Sequence, residues 1–334
     1  MSDELLQPAA EPQLPPLIVV VGPTASGKSQ LAAALGAHLD GEVVSADSVQ
    51  VYRHFNIGSG KPQAAELGLC PHHLLDIREP FEVLEASVWA KMAAETINDI
   101  LGRGKVPIVC GGTFLWVRAL LFGLADAPPG DEDLRARHRA LEREHGRPYL
   151  HQMLKNVDQA SAARLHENDF VRVSRALEVH ELTGRPLSAL QQEHGFATPR
   201  YAARLLGVDW PREQYEERLR ARVAGMFSDG FVQETQELIQ RGYATTRAMA
   251  SVGYRQVCEA LSAETPLTEA QLPLDEAALL EKVVQSTRIF ARRQRTWLRD
   301  AAVERVDPAA LSDEATLRLA LSRLGLDKLR SPLS

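Results

Sequence analysis

The chain of 334 residues is long enough for about two domains, and its 45% hydrophobic and 25% charged residues are typical of soluble globular proteins, which excludes global disorder. Its 38 basic and 44 acidic residues give a formal net charge of −6, which excludes a uniformly basic nucleic-acid-binding protein but allows a locally basic groove. The three cysteines lie far apart, which excludes a disulfide framework or CxxC zinc site and favours a reducing compartment.

The first residues predict a flexible arm. Residues 1–16 contain four prolines and no hydrophobic periodicity. Asp3 and Glu4 stand where a signal peptide carries basic residues, and no apolar run reaches the ~20 residues of a membrane span. We therefore expect a cytoplasmic protein without a membrane segment.

Three short, β-branched runs then predict buried parallel strands. They are LIVVV (17–21), EVVSA (42–46) and VPIVC (106–110). A helical pattern from about Ser29 follows the first run, and a long amphipathic helix over 86–104 precedes the third. Alternating strands and helices are typical of a parallel α/β sheet.

The pattern changes at the Pro/Gly-rich segment 125–131, after which the sequence predicts helices over 132–145, 158–166 and 170–184 and no convincing strand. RLLGVDW (204–210) predicts a return to the sheet, followed by helices over about 212–227, 229–241 and 275–299. The fold class predicted is α/β, a P-loop NTPase-like parallel sheet core with an inserted all-helical domain. The predicted segments are the N-terminal arm (1–16), the core with its C-terminal helices (17–125 and 201–300), the helical insertion (126–200) and a C-terminal tail (301–334).

GPTASGKS (22–29) matches the phosphate-binding pattern GxxxxGK[ST] between a hydrophobic strand and a helix, which is the context that the motif requires. The glycines let backbone N–H groups surround phosphate oxygens, and the helix start adds a positive dipole. Lys28 is expected to reach the outer phosphate, and Ser29 can ligate Mg²⁺. The sequence therefore predicts a site for a di- or triphosphate.

Two further segments end at the same predicted sheet edge. Asp47 follows the second strand, where it can hold Mg²⁺ through water or accept a proton from a nucleophile; a helix cap is the structural alternative. Gly111, Gly112 and Thr113 follow the third strand, where many P-loop enzymes carry an Asp. They permit close backbone approach and offer a neutral hydroxyl, or they form a simple capped turn.

Basic residues concentrate near the C-terminal end of the core. Residues 285–299 contain five arginines and no acid, and Arg288, Arg292, Arg295 and Arg299 fall on one helical face. This pattern favours a nucleic-acid backbone over a solvated face, and Trp297 could stack on a base. Arg172 and Arg175 could extend the surface. The adjacent His72 and His73 lack partners at ligand spacing and favour a structural role over a metal site.

Eight segments together resemble the bacterial tRNA dimethylallyltransferase family, in its order, over about residues 17–300. The segments are GPTASGKS (22–29), SADSVQVY (45–52), IGSGKP (57–62), PHHLLDI (71–77), GGTFLW (111–116), RVSRALEV (172–179), SVGYRQ (251–256) and RRQRTWLR (292–299). The departures are Trp116, where Tyr is frequent, and Arg295, where an apolar residue is usual.

The resemblance implies a P-loop core with a helical insertion and a transferase of tRNA modification. The reaction it implies moves the dimethylallyl group from dimethylallyl diphosphate to N6 of adenosine 37 in the tRNA anticodon loop and releases diphosphate. Mg²⁺ is the implied cofactor, and tRNA and dimethylallyl diphosphate are the implied partners of what we expect to be a monomer. A prenyl group leaves diphosphate as a cation-like fragment, which explains why no Asp follows the third strand.

The resemblance also implies individual roles. Asp47 would be the general base, Thr113 would hydrogen-bond the leaving oxygen, and Lys28 would stabilise the leaving group. The implied diphosphate-binding residues are Gly22, Pro23, Thr24, Ala25, Ser26, Gly27, Lys28 and Ser29. The implied tRNA contacts are Asp47, Ser48, Val49, Gln50, Thr113, Arg135, Val171, Arg172, Val173, Ser174, Arg175, Ser251, Val252, Gly253, Tyr254, Arg255, Arg292, Arg293, Gln294, Arg295, Thr296, Trp297, Leu298 and Arg299.

Three other functions would share some of these features. A small-molecule kinase would explain the P-loop and Asp47 but leaves the arginines without a role. A tRNA-binding module without catalysis would explain the arginines but not the P-loop. An adenylate isopentenyltransferase acting on free AMP or ADP would share the chemistry but would not need the insertion at about 130–200.

Overall fold

The computed structural model describes residues 16–196, 198–263, 275–300, 303–309 and 311–326. The predicted N-terminal arm, apart from residue 16, and the last eight residues of the tail lie outside these ranges. The strands are β1 Pro16–Val21, β2 Gly41–Ser45, β3 His72–His73, β4 Val106–Gly111, β5 Ala202–Val208 and β6 Glu304–Val306. The helices are α1 Lys28–Leu39, α2 Ala64–Leu67, α3 Ala86–Gly102, α4 Phe114–Phe122, α5 Glu132–His145, α6 Arg147–Val157, α7 Gln159–Arg164, α8 Phe170–Thr183, α9 Leu187–His194, α10 Arg212–Ser228, α11 Phe231–Gln240, α12 Tyr254–Ala263, α13 Glu276–Asp300 and α14 Asp313–Arg323.

The strands form one parallel sheet in the order β3-β2-β4-β1-β5-β6. β1 lies between β4 and β5, and its last residue, Val21, is level with Gly111 on one side and Gly207 on the other. Residues 17–21 are all buried, as expected for a strand covered on both faces. Because all strands run in one direction, the segments that follow β1, β2 and β4 meet at the same sheet edge.

The chain divides into two compact units, one of residues up to Leu121 together with those from Tyr201, and one of Phe122–Arg200. In the first unit, apolar side chains of α1, the sheet and α14 form a common core that includes Leu35, Ile108 and Leu321. The second unit contains helices and no strand within its described residues, and its own core includes Leu150, Leu154 and Leu177.

The α/β fold class with helical content is confirmed, and several predicted helices match closely, such as α5 at Glu132–His145. The tail contains elements that the sequence analysis did not predict. β6 pairs with β5 through Leu206 and Glu304, and α14 packs against α1. In the described part of the chain, no helix has both the length and the apolar character that a membrane crossing requires.

Candidate functional site

The turn after β1, which carries the predicted phosphate-binding motif, is tightly curled. Gly22 must lack a side chain, because a Cβ there would lie 2.7 Å from the Val208 carbonyl oxygen. Ala25 and Gly27 adopt positive φ angles of 67° and 87°, which curl the chain back into α1 at Lys28. The first N–H groups of α1 have no acceptor within the helix and are free to bind an anion.

Three side chains hold the outer side of this loop. The Trp210 indole N–H donates to the Ser26 carbonyl (2.8 Å), and the Tyr215 hydroxyl donates to the Thr24 carbonyl (2.7 Å). The Gln294 carboxamide oxygen accepts from the Thr24 N–H at 2.9 Å. These bonds fix the backbone of the loop at Thr24 and Ser26. The Ser26 hydroxyl is buried and has no hydrogen-bond partner among the described residues, as expected of a loop shaped for a ligand.

Positive charges approach the loop from two elements. The pKa of Lys28 is lowered, first because burial disfavours its charge and then because Arg222 is nearby, while Asp47 opposes the shift. The pKa of Arg222 on α10 is also lowered, first by desolvation among the surrounding groups although the residue keeps exposed surface, and Asp47 again opposes the shift. Burial raises the pKa of the Cys110 thiol to about 12, so this side chain stays neutral beside Lys28. The loop therefore has two cations and one carboxylate in mutual electrostatic contact.

Asp47 begins a turn directly after β2. Its Oδ1 accepts the backbone N–H groups of Val49 (2.9 Å) and Gln50 (3.3 Å), and its described hydrogen bonds all use this one oxygen. The strand end before it is held by Trp89, whose indole N–H donates to the Ser45 carbonyl at 3.1 Å. The position of the carboxylate is thus set by the backbone on both sides.

The turn after β4 is bonded to the Asp47 turn. The Thr113 N–H donates to the Ala46 carbonyl (3.2 Å), and the Thr113 hydroxyl oxygen accepts the Ser48 N–H at 3.1 Å. A Cβ at Gly111 would lie only 2.1 Å from the Ala46 carbonyl oxygen, so this approach requires glycine. The turns after β2 and β4 are therefore connected by hydrogen bonds, and the Gln294 side chain connects the turn after β4 to the loop after β1.

The loop after the Asp47 turn is fixed by residues that the sequence analysis did not select. The Glu234 carboxylate accepts the backbone N–H groups of residues 56–58 at 2.8–3.2 Å. It also accepts the hydroxyl of the fully buried Tyr254 at 2.5 Å. Lys61 donates to the Tyr52 carbonyl (2.8 Å) and to Asp76. These contacts make Tyr254, an implied tRNA contact, a buried support of this loop.

Of the four arginines predicted to share one face of α13, Arg295 is half-buried and paired within the protein. Its guanidinium bonds to Asp209 (2.8 Å) and the Trp210 carbonyl, and it lies 4.1 Å from the Tyr215 ring centroid. These partners lie on α10 (Tyr215) and on the loop before it (Asp209 and Trp210), and they hold the Arg295 guanidinium against the protein. Arg288 is exposed but pairs with Glu216 at 3.3 Å.

Arg292, Arg293 and Arg299 are exposed, and no acidic side chain among the described residues pairs with any of them. The neighbouring Thr296 is also exposed, whereas Gln294 and Leu298 are buried. The expected base-stacking residue Trp297 has one face against Phe114, with ring centroids 4.2 Å apart and planes 15° apart.

The other implied tRNA contacts of the first unit differ in exposure. Ser48 and Arg255 are exposed, and Arg255 lies 3.9 Å from Glu259. Gln50 is buried, and its carboxamide donates to the Gly60 carbonyl at 2.9 Å. The remaining positions are half-buried or buried: Val49, Thr113, Ser251, Val252 and Gly253.

In the second unit, Glu178 organises two of the implied contacts. This fully buried carboxylate pairs with Arg175 (3.1 Å) and Arg135 (3.6 Å) and accepts the Asp131 N–H. Val171 is exposed, and so is Arg172, which lies 3.5 Å from Asp169. Val173 and Ser174 are buried, and the Ser174 hydroxyl bonds to the equally buried His138 at 2.9 Å.

His72 and His73 lie on β3, away from the phosphate-binding loop in the sheet order. His73 contacts the buried Glu42 at 2.6 Å, and Arg103 binds the same carboxylate. Arg103 and then His73 hold the pKa of Glu42 down, at about 2. The described residues contain no group of three or more His, Cys, Asp or Glu that could hold a metal ion.

The sequence analysis missed Arg222, Trp210 and Tyr215. A partial signal was present, because residues 215, 218, 219 and 222 of the α10 pattern share one helical face. Arg218 of that face lies 4.1 Å from the Trp210 ring centroid. Which loop this face meets depends on the return of β5 to the sheet, and local periodicity does not contain that information.

Comparison with known proteins gives consistent results. The family model described as IPP transferase matches residues 50–301. A tRNA dimethylallyltransferase of Sorangium cellulosum is 55% identical over 287 residues, which are 86% of this chain and 88% of that protein. The tRNA delta(2)-isopentenylpyrophosphate transferase structure of Staphylococcus epidermidis has a TM-score of 0.66 at 32% identity and covers 93% of this chain and 99% of that chain. A eukaryotic dimethylallyltransferase acting on tRNA shares the fold, with a TM-score of 0.74 at 24% identity over 92% of this chain and 78% of that one.

Proposed function

The chain belongs to the IPP transferase family, and we propose that it transfers the dimethylallyl group of dimethylallyl diphosphate to N6 of adenosine 37 in tRNA. The observation that carries this proposal is the hydrogen-bonded assembly of the phosphate-binding loop, the Asp47 turn and the Gly111–Thr113 turn. A phosphate cradle beside a carboxylate suits a reaction in which diphosphate leaves and the acceptor loses a proton.

The residues of the loop support a role in stabilising the leaving group. The bond between the prenyl carbon and the diphosphate oxygen breaks, and its electron pair stays on the diphosphate. Lys28, Arg222 and the N–H groups at the start of α1 would oppose that growing negative charge. The Thr113 hydroxyl, held by the Ser48 N–H, would donate to the oxygen nearest the breaking bond. The buried, unpartnered Ser26 hydroxyl is a further donor for the anion.

Asp47 would accept the proton that leaves N6 when the new carbon–nitrogen bond forms. Because Oδ1 is bonded to the backbone of its own turn, Oδ2 is the oxygen suited to this task. Adenosine 37 must leave its stack to reach the carboxylate, which costs a few kcal/mol that contacts in the pocket offset.

The donor set beside the loop fits Mg²⁺. The Ser29 hydroxyl and the Asp47 carboxylate are hard oxygen ligands, and Mg²⁺ commonly binds through one or two such groups together with phosphate oxygens and water. In this proposal Ser29 would hold the ion, which would supply charge neutralisation for the diphosphate.

We propose that the tRNA backbone binds the exposed arginines among the implied tRNA contacts. In the first unit, Arg292, Arg293 and Arg299 are exposed and have no acidic partner among the described residues. In the second unit, Arg172 lies 3.5 Å from Asp169 but keeps 73% of its side chain accessible, whereas Arg135 and Arg175 pair with the buried Glu178. Buried side chains such as Val173 and Ser174 are left out of this surface.

The test is incubation with dimethylallyl diphosphate, Mg²⁺ and unmodified tRNA, followed by mass analysis of the tRNA nucleosides. We expect adenosine bearing one prenyl unit, mapped to position 37 by nuclease fragmentation. Free AMP replaces tRNA in a parallel reaction, because modified AMP with unmodified tRNA would identify an adenylate isopentenyltransferase instead. Labelled ATP with nucleoside acceptors tests the kinase alternative, and phosphoryl transfer there would refute the proposal.

A further inference from the structure

Gln294 lies on α13 between the exposed Arg293 and the half-buried Arg295, yet its side chain is 5% exposed. Its two amide atoms bond to different loops. The oxygen accepts the Thr24 N–H at 2.9 Å, and the nitrogen donates to the Gly112 carbonyl at 3.0 Å. The side chain therefore spans the gap between the phosphate-binding loop and the turn that carries Thr113.

The contact with the second loop is tight. A Cβ at Gly112 would lie 2.5 Å from the Gln294 amide nitrogen, so only glycine leaves room for the bond. The next residue, Thr113, bonds through its N–H to the Ala46 carbonyl, directly before Asp47. The Gln294 carboxamide thus links the phosphate-binding loop to the turn that carries Thr113, the proposed donor to the leaving oxygen. Through Thr113 it is linked to the turn that carries Asp47, the proposed base.

We propose that Gln294 is a positioning residue for the diphosphate, which sets the spacing between the phosphate-binding loop and Thr113 and does not contact tRNA. The inference rests on the proposed function for the identity of the substrate. Its geometry is independent of that assignment, because both bonds join protein groups.

The chemistry of the side chain explains why glutamine is required. A carboxamide combines one acceptor and one donor at the length that both loops need. An ionised glutamate of the same shape has acceptors only, and it would face the Gly112 carbonyl with like partial charge. A protonated glutamate again has an acceptor and a donor. The defect of a Gln294→Glu variant should therefore depend on pH, whereas a purely steric defect should not.

The test compares Gln294→Glu with the wild type across pH 4.5–9, a range that reaches close to the ordinary pKa of a glutamate carboxyl, about 4.3. At the alkaline end we expect diphosphate affinity and kcat/KM for dimethylallyl diphosphate to fall about 10-fold or more, the loss typical of a buried hydrogen bond left unmade. tRNA affinity is expected to stay within about two-fold, since it does not depend on this bond. The ratio of variant to wild type should recover as the pH falls and the carboxyl takes up its proton.

Two further variants make the test decisive. Gln294→Met, which keeps the length but neither bond, should show the loss without recovery at low pH. Gln285→Glu places the same charge on an exposed position of α13 and should leave diphosphate affinity unchanged. Calorimetric titration with inorganic diphosphate provides the affinity without any transfer reaction, so the inference is tested even if the proposed prenyl transfer fails.

The results that would overturn the inference are specific. Weakened tRNA binding with unchanged diphosphate affinity would make Gln294 a tRNA contact. A lowered Tm in both Gln294 variants, with diphosphate affinity and kcat/KM like those of the wild type, would reduce its role to folding. A pH-independent ratio for Gln294→Glu would also refute the two-bond explanation.

Discussion

Replacing Asp47 by Asn separates proton transfer from the structure of its turn. The Asn side-chain oxygen can accept the same N–H groups of Val49 and Gln50 that Oδ1 accepts at 2.9 and 3.3 Å. The turn and its bonds to Thr113 should therefore persist, while the group that takes the N6 proton is lost. Loss of a general base lowers the rate by roughly 10²–10⁴-fold. We expect that decrease in single-turnover transfer with tRNA affinity within about two-fold.

Asp47→Ala provides the structural comparison. It removes two accepted hydrogen bonds at about 1 kcal/mol each, so the turn loses on the order of 2 kcal/mol and Tm should fall by a few degrees. Asn should show the rate defect without that decrease in Tm. The assay is rapid-quench transfer with saturating dimethylallyl diphosphate, together with filter binding of tRNA. If Asp47→Asn weakened tRNA binding and turnover in proportion, Asp47 would be a positioning residue and the assignment as base would be refuted.

Three further substitutions test the remaining assignments. Lys28→Ala should lower the transfer rate by about 10²-fold or more, because the proposed leaving diphosphate would lose a cation at the loop. Activity should also require Mg²⁺, and a fully active variant in EDTA would rule out the loop assignment. Changing Arg292 and Arg299 to Gln should weaken tRNA binding and lower its log–log salt slope by ~0.7–0.9 per lost phosphate contact, with diphosphate affinity unchanged. Glu42→Gln should cost on the order of 3 kcal/mol in the free energy of unfolding at neutral pH, because Arg103 holds the pKa of Glu42 at about 2, below its ordinary 4.5. That contribution is present above pH 4.5 and is lost as the pH falls toward 2, so the acid limb of the variant's stability curve should be flatter there.

Matched controls come from the same elements. Lys91→Ala and Glu95→Gln alter exposed charges on α3 and should leave transfer and unfolding unchanged, respectively. Arg288→Gln removes a guanidinium that pairs with Glu216 and should change the salt slope less than either unpaired arginine. Loss of diphosphate affinity in the Arg292 and Arg299 variant would show that α13 supports the fold rather than tRNA binding.

Much of the candidate site could be predicted from short sequence segments. Residues 22–29 carry a motif whose glycines and lysine serve the same phosphate geometry in any chain, so strand context sufficed to interpret it. Asp47 and Thr113 could be placed at one edge because parallel strands end together. The contacts that stabilise this edge come from Trp210, Tyr215 and Gln294. Because these residues are 97 or more positions from Thr113 in the sequence, no local pattern identifies the loops that they contact.

The sequence by itself determined the fold class, the phosphate-binding loop and the family resemblance, because these depend on hydrophobic periodicity and on short motifs of fixed spacing. Only the tertiary structure decided which side chains of a regular helix are exposed. On α13, residues 292, 294 and 295 are near neighbours in sequence, yet Arg292 is exposed, Gln294 joins two loops and Arg295 binds Asp209. Helical spacing gives the direction of each side chain around the helix. The polar groups that a side chain contacts in that direction belong to segments distant in sequence. Those groups decide whether an arginine is exposed or is paired within the protein.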